Sequence, residues 1–572
     1  MKNLEISEIF YKMADILEME GVEWKPRAYR KAARSIETMA KDITDIYEKN
    51  GIKGLEDIPG VGRRMAEKIE EYIKTNKIKE FERLKRKLPS GLDEVMNIPG
   101  MGPKKAIKLY KTLRIKDIKD LAKAAKTGKI KSLEGFGEKS EQDILRGIAL
   151  KEQNKGRMLL GKALDIARSL KKQIEKTGLV TRAEIAGSIR RRKETVGDID
   201  LLAISDKPKE VMEAFVKLPE VKTILVKGPT KSSVIISPGI QADLRVLQKE
   251  TFGSGLQYFT GSKDHNIELR RIAIKKGYKL SEYGLFKGKI RIAGRTEEEI
   301  YKNLGMQYIP PELRTNRGEI EAAQKKRLPR LINYTDIKGD LQMHTQWSDG
   351  SNTIEEMART AKKMGYSYIA ITDHSKSEHV ARGMDEKKLS QYIKAITKAQ
   401  EKVKGIKILK GAEVDILSDG SMDYDDKTLK KLDIVLAAVH SGFKMSKTEM
   451  TKRIIAAIEN KHVNILAHPT GRIIGKRQPY QTDMTKIIES AKENKVALEI
   501  DAYPSRLDMN DENARIAAEK GVMIAIDTDA HQASQLRYME LGVAVARRAW
   551  IRKEQVINTK TYAQLLKFLS KR

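Results

Sequence analysis

Three carboxylates and a scatter of histidines in this chain have the spacing of metal-dependent phosphate chemistry. In GSIRRRKETVGDIDLL, residues 187–202, Asp198 and Asp200 stand two apart at the head of an apolar, strand-like run. Positions two apart in a strand share a face, so both carboxylates point one way while Ile199 and Leu201 point into a core. Parallel carboxylates repel unless a proton or a cation lies between them, which leaves a solvated strand face or half of a metal site. In SSVIISPGIQADLRVL, residues 232–247, the pattern is strand, turn and strand. Ile240, Ala242, Leu244 and Val246 share one face there, leaving Asp243 on the other with Gln241 and Arg245. A third carboxylate on a neighbouring strand would complete a cage for two divalent cations. Magnesium suits it, being a hard ion held by few carboxylates together with substrate phosphates. Such a site activates a 3′-hydroxyl and stabilises in-line displacement at an α-phosphate. Gly187 and Ser188, where strand meets helix, offer amides and a hydroxyl to the leaving phosphates, and Arg190 and Arg191 add positive charge.

A second constellation lies further on. The chain has 8 histidines, and all but one follow residue 340. Five of those end or closely follow an apolar run: His344 in DLQMHTQWSDG, His374 in YIAITDH, His440 in VLAAVH, His468 in NILAHP and His531 in MIAIDTDAH. Glu413 ends KILKGAEV in the same way. A lone histidine beside a core is commonly structural, but five in equivalent places call for a common cause. About seven strand-like runs between residues 338 and 528, ALEIDAY among them, alternate with helical stretches. That rhythm predicts a barrel-like parallel sheet whose functional groups gather at the C-terminal strand ends. Imidazoles and carboxylates converging there would suit zinc or manganese.

The elements that must position these groups fit a multidomain chain. Its 572 residues exceed what one core usually supports, and 40% of them are hydrophobic. No run of about 18 apolar residues occurs, and no N-terminal apolar segment, so the expectation is a cytoplasmic protein with no membrane partner. Zero cysteines exclude disulfides, thiol catalysis and zinc fingers, so any metal is held by His, Asp and Glu. The formal charge of +32, from 111 Lys+Arg against 79 Asp+Glu, favours a polyanionic partner, because cations at phosphates release condensed counterions. A solvated, charge-rich surface is the plainer alternative.

Residues 1–150 are helical in pattern and repeat: LEDIPGVGRRMAEKI (55–69), VMNIPGMGPKKAIKLY (95–110) and the weaker IKSLEGFGEKSEQDIL (130–145). Paired glycines before a helix leave amide N–H groups free at its N-terminus, where a phosphate can sit. These repeats resemble helix-hairpin-helix motifs, which grip the DNA backbone without reading sequence. On that resemblance Gly60, Gly62, Gly100 and Gly102 would contact DNA.

Asp-x-Asp after Gly-Ser alone specifies only a nucleotidyltransferase. GSGLQYFTGSKDHNIELR (253–270) narrows it, because the segment resembles the nucleotide-binding stretch of family X DNA polymerases, the polymerase beta relatives. Tyr258, Phe259, Thr260, Gly261 and Ser262 match its core. The resemblance implies that Asn266 contacts the base or minor groove and that Arg270 lies near the template. Lys263 departs from the acidic residue of better-known members. RAYRKAARSI (27–36) with IPGVGRRMAEKI resembles the small lyase domain of these polymerases. In that match Lys68 would form a Schiff base with a 5′-deoxyribose phosphate, its pKa depressed by neighbouring cations, while Lys25, Tyr29, Lys31 and Arg64 surround the phosphate. Lys231 is a further candidate DNA contact.

The C-terminal part resembles the polymerase and histidinol phosphatase (PHP) domain. The resemblance implies metal ligands at His344, Asp349, His374, Glu413, His440, His468, Asp529 and His531; Gln342 departs, standing where the wider family has histidine. Arg472, after HPTG, is a candidate phosphate contact or plain surface charge. The expected organisation is a lyase-like helical domain (1–90), a fingers-like helical domain (91–150), an α+β nucleotidyltransferase palm (151–258), a thumb (259–312), a linker (313–335) and a (β/α)7 barrel-like PHP domain (336–572).

The function this implies is a monomeric, prokaryotic, nucleoid-associated DNA-directed DNA polymerase. It would fill short gaps in base excision repair, with gapped or nicked duplex DNA and dNTPs as partners and Mg2+ or Mn2+ at the palm. The barrel, with Zn2+ and/or Mn2+, would supply 3′→5′ exonuclease activity, with 3′-phosphatase or abasic-site endonuclease activity beside it, and the first domain a 5′-deoxyribose-phosphate lyase. Two rivals remain at this level: a template-independent nucleotidyltransferase, and a DNA-binding scaffold whose PHP fold is structural.

Overall fold

The computed structural model describes residues 2–570 apart from 38, 40, 41, 87–90, 97, 99, 100, 154 and 155; the predicted contact Gly100 therefore lies outside the described residues. Two compact units make up the chain, one of residues 1–155 with 472–478 and one of 156–471 with 479–572.

The first unit is helical, with two apolar cores. Ile6, Phe10 and Met13 of the helix Lys2–Met19 pack with Ile36, Leu55 and Ile69, and Phe10 meets Tyr29 edge to face at 5.3 Å. Leu92, Val95, Leu109, Leu121 and Ile144 form the other core. Both well-formed repeats start a helix in the same way. Gly62 caps Arg63–Thr75 and Gly102 caps Pro103–Leu113, each in extended conformation and without a side-chain hydrogen bond. The first-turn amides of each helix are thus left without a side-chain cap, as P-G-x-G in the sequence predicts. Gly60 sits at φ 85°, and a Cβ there would collide with the Lys31 side chain, so the turn requires glycine.

In the second unit the palm is a five-stranded sheet in the order Arg182–Ile185, Asp198–Ile204, Ile240–Leu247, Lys231–Ile236, Val221–Lys227. Residues 240–247 alternate buried and half-buried without a break, the signature of a strand with one face on a core. Asp198–Ile204 runs parallel to Ile240–Leu247. The thumb follows, with helices Phe252–Thr260 and Lys263–Lys275 and a three-stranded antiparallel sheet. The C-terminal sheet has seven strands, all parallel and in sequence order, from Gly339–Asp340 to Ile524–Asp527. A parallel bridge between Met343 and Ala530 draws the first and last strands together into a nearly closed barrel. Palm and barrel are pinned by paired ion bridges, Arg168 to Glu540 at 2.7 Å and Arg537 to Asp165 at 2.9 and 3.0 Å.

The stretch 313–335, which its polar composition predicts to be a linker, is packed instead. Arg314 is fully buried, pairs with Glu297 at 2.6 Å and lies over the rings of Tyr301 and Tyr308. Glu319 is fully buried against His265 at 2.7 Å. At the far end, Ile332 donates its amide to the Ile551 carbonyl. Charge in a sequence reads as exposure, whereas Arg314 is neutralised by a carboxylate 17 positions away and Glu319 is hydrogen-bonded to an imidazole 54 positions away. Arg190 completes the network: it also binds Glu297, at 2.6 Å, and the Thr260 hydroxyl, at 2.7 Å. Burial pushes the Glu297 carboxyl up, but Arg314 and Arg190 outweigh it and bring it down to about 2. Removing one partner of a buried ion pair strands the other, at a cost of about 3–5 kcal/mol. Arg314→Ala is therefore expected to lower the thermal midpoint by several degrees, whereas the exposed Lys227→Ala should leave it unchanged; equal midpoints for the two variants would contradict this packing.

Candidate active sites

The palm places the three aspartates together. In the parallel pairing Asp200 stands directly opposite Asp243, and Asp198 opposite Gln241. Asp200 is pushed up to about 7, by burial and then by the Asp198 and Asp243 charges, with Arg245 and Arg191 opposing. A site that destabilises its own ionised carboxylates without a cation is one whose donors fit divalent metal. Gly187 sits at φ 61°, and a Cβ there would overlap the Asp200 carboxylate; only glycine allows this turn to close over the aspartates.

A cavity of about 780 Å³ opens here, lined among others by Ser188, Arg191, Asp198, Asp200, Tyr258, Phe259, Gly261, Asn266 and Arg270. The Ser188 hydroxyl and the Arg191 Nε are buried with no hydrogen-bond partner. Buried orphan donors are costly, and these lie in the wall of a cavity where an anion would satisfy them. Arg191 also donates to the Thr260 carbonyl, which ties the turn to the thumb. Asn266 is engaged at both ends, accepting from Gln257 and donating to the Tyr258 carbonyl, each at 2.7 Å. Lys231 reaches the Asp243 carboxylate at 3.9 Å, so the sequence-predicted DNA contact lies beside a candidate metal ligand.

In the barrel, Glu413 is the hub. Its carboxylate meets His468 at 2.8 Å, His374 at 3.2 Å, and His344 and His440 at 3.3 Å. Asp529 contacts His344 at 3.0 Å, and Asp349 contacts His531 at 3.2 Å and His374 at 3.6 Å. All eight sequence-predicted ligands are thereby brought together. Despite burial, the surrounding imidazoles hold Glu413 well below its usual range. His468 keeps a buried ring nitrogen, Nδ1, without a hydrogen-bond partner. Among the described residues, lone pairs and carboxylate oxygens within 4.8 Å of one another form four overlapping groups, two of them including Glu413 and one made by Glu378, Asp415 and His440, each able to hold a cation. His468 and Asp529 have φ of 29° and 48°, backbone conformations that non-glycine residues adopt only when held. Gln342 is fully buried and its amide lies against the Glu499 carboxylate, to which it donates once the amide is turned nitrogen-first.

Supporting residues were missed. Asp415 accepts from His440 Nδ1 at 2.6 Å, which orients Nε2 toward Glu413. Asp373 accepts from the amides of Thr345 and Ser348 and fixes the loop between His344 and Asp349. The pairs Asp373-His374 and Glu413-x-Asp415 were the available signal. Trp24, 76% exposed with Arg27 over its ring at 5.9 Å, was also passed over.

In the helical unit, Lys68 lies beside Tyr29 as predicted, with Lys25 and Arg64 exposed. Its expected low pKa is not found. Burial lowers it, but Glu80, at 2.9 Å, and Tyr29 prevail and raise it. The sequence showed the cations around Lys68 and not the carboxylate twelve positions on.

Both active regions thus sit on a nucleotidyltransferase palm with thumb and on a seven-stranded phosphoesterase-type barrel. Residues 1–78 match the helix-hairpin-helix domain, 92–149 the SAM-like helix-hairpin-helix tandem, 255–315 the DNA polymerase beta thumb and 340–503 the PHP domain. The thumb match reaches into the stretch expected to be a linker. The chain is 38% identical over 577 residues to a DNA polymerase/3′-5′ exonuclease PolX of Bacillus subtilis (strain 168), covering 100% of both. A probable phosphatase of Thermoanaerobacter sp. (strain X514) is 34% identical over 231 residues, 38% of this chain and 89% of the relative. DNA polymerase lambda of Rattus norvegicus is 27% identical over 345 residues, 54% of this chain and 56% of the relative. The chain belongs to the family X DNA polymerases that carry a C-terminal PHP domain. Among its described residues no helix is long and apolar enough to cross a membrane.

The Asp200 shift has a readable sign. A carboxyl whose folded pKa lies above its unfolded value favours the fold at low pH, and that contribution is lost as pH rises from the ordinary carboxylate range through about 7. Asp200→Asn should therefore raise the thermal midpoint of metal-free protein at pH 8 and not at pH 4. In the wild type the proton competes with the cation, so the Mg2+ concentration needed for half-maximal extension should rise about tenfold from pH 8 to pH 6. A requirement that does not change with pH would contradict the shift.

Proposed function

We propose that the chain is a template-directed DNA polymerase that fills short gaps during base excision repair, and that its barrel removes nucleotides from the 3′ end of DNA. The carrying observation is the register that sets Asp200 opposite Asp243 beneath the orphan donors Ser188 and Arg191. Asp198, Asp200 and Asp243 in the palm, and the histidine and carboxylate cluster in the barrel, would hold divalent cations, which would supply charge to an in-line displacement at phosphorus in the one and to phosphodiester hydrolysis in the other. The chain's own part is positional. Asp198, Asp200 and Asp243 orient the primer terminus and the α-phosphate, and Gly187, Ser188 and Arg191 hold the leaving phosphates. Tyr258, Phe259, Gly261 and Asn266 form the floor under the sugar and base, and Arg270 lies toward the template. Gly60, Gly62, Gly102, Lys25 and Arg64 hold the duplex by its phosphates, with Lys231 and Tyr29 as further contacts. In the barrel His344, Asp349, His374, Glu413, His440, His468, Asp529 and His531 are the ligand set, with Asp415 fixing the His440 ring.

Magnesium or manganese fits the all-carboxylate palm, and zinc or manganese the imidazole-rich barrel. The convergence of eight ligands in one cluster, four of its imidazoles on Glu413, favours a catalytic barrel over a structural one. The substrate is gapped or nicked duplex, the enzyme a cytoplasmic monomer.

The deciding experiment uses a primer-labelled one-nucleotide gap with a 5′-phosphate. Asp198→Ala/Asp200→Ala should lose extension and keep primer shortening, and His440→Ala/His468→Ala the reverse. Extension by wild type that ignores the template base, or no shortening with any of the three metals, would overturn the corresponding half.

The nearness of Lys68 to Tyr29 supports a second activity, a 5′-deoxyribose-phosphate lyase with Lys68 as the Schiff-base amine. Glu80 keeps that amine protonated, so Glu80→Gln should move the pH profile of borohydride-trapped adduct to lower pH, and Lys68→Ala should abolish the adduct. An adduct that survives Lys68→Ala would assign the nucleophile elsewhere.

A further inference from the structure

We infer that Arg548, a residue of the barrel, is a positioning residue of the polymerase site: it holds the phosphate-binding turn 187–192 in the shape that receives the incoming nucleotide. This rests on the polymerase reading above.

The turn is short and must reverse sharply. The single helical turn Gly187–Arg190 is followed by Arg192 at φ 56°, a left-handed conformation, before the chain re-enters the sheet at Asp198. The turn closes on itself through the Arg192 amide to the Ile189 carbonyl and the Lys193 amide to the Ser188 carbonyl, both at 3.0 Å. The Arg192 carbonyl is taken up from outside the palm, accepting from Arg548 Nη1 at 3.0 Å. Arg548 is the last residue of the barrel helix Met539–Arg548 and is buried. Its Nη2 pairs with Asp511 at 2.8 Å, the first residue of the barrel helix Asp511–Glu519. Burial pushes the Asp511 carboxyl up, but Arg548, Lys193 and Arg317 hold it below its usual range, so the carboxylate stays ionised. A planar guanidinium gripped at one end presents its other N–H groups in a fixed direction. The barrel thereby fixes the carbonyl that ends the turn, and the turn fixes Ser188 and Arg191. Arg548 itself lines the same cavity as Ser188, Arg191, Asp198 and Asp200.

Simple docking of palm on barrel does not explain this placement. The Arg168–Glu540 and Arg537–Asp165 bridges join the barrel to the palm helix Leu160–Lys176. Neither bridge reaches the turn or lines the cavity. Arg548 is spent on the backbone of the one segment whose shape decides where a triphosphate sits.

The test is steady-state gap filling and 3′ trimming by the full chain, comparing wild type, Arg548→Ala, Arg548→Lys and Arg168→Ala. Arg548→Ala should raise KM for the dNTP about tenfold, the scale of one lost charge-assisted hydrogen bond, and leave trimming unchanged. Arg548→Lys should give an intermediate KM, because an ammonium lacks the fork that joins carbonyl and carboxylate. Arg168→Ala should keep the wild-type KM. A wild-type KM in Arg548→Ala, or an equal rise in Arg168→Ala, would overturn the inference and leave Arg548 as a docking contact. If Arg548→Ala loses both activities, Arg548→Lys decides: an intermediate KM with full trimming supports the inference, and a wild-type KM ends it. A wild type that never extends a primer would refute the polymerase reading instead.

Discussion

Electrostatic repulsion between carboxylates that share a strand face governs the palm. Parallel pairing puts Asp200 across from Asp243 with Asp198 two residues away, and nothing apolar can relieve that crowding. The surroundings answer it in three ways. Arg245 and Arg191 offset the negative charge from the flanks, Gly187 lets the neighbouring turn approach without a side chain, and the donors of that turn are left unpaired for an incoming anion. A fold that concentrates like charge and then surrounds it with unmatched donors of the other polarity is primed for a cation and a polyphosphate together.

The barrel solves the same problem with different ligands. There one carboxylate, Glu413, is shared by imidazoles carried on separate strand ends. His440, between Glu413 and Asp415, is raised to about 10 in spite of its burial, while burial and His344 bring His374 down to about 3. Parallel strands supply this arrangement because every C-terminal end points to the same rim.

Much of this was legible in the sequence where a period or a repeated position carried it. Alternation over residues 240–247 placed Asp243 on the face of Asp198 and Asp200, and five histidines at equivalent strand ends announced the barrel. The two P-G-x-G turns predicted the helices that follow them. What the sequence hid was pairing at a distance. Arg314 and Glu319 read as solvated linker because Glu297 and His265, which bind them, lie far back in the chain. Lys68 read as an amine among cations because Glu80 belongs to another helix. Arg548 is an ordinary basic residue near a helix end until the Arg192 carbonyl is placed beside it. Polar partners are chosen by the fold, and no local rule names them.

The packed course of residues 313–335 bears on how a primer is edited. A flexible tether would let one domain swing and carry its active site to a stationary DNA end. With Arg314 and Glu319 locked into the thumb and Ile332 bonded to the Ile551 backbone, this connection offers no such pivot. Traffic between synthesis and trimming then falls to the nucleic acid. The strand must fray and migrate, or dissociate and be recaptured, and the balance between extension and removal becomes a competition set by the stability of the terminal base pair.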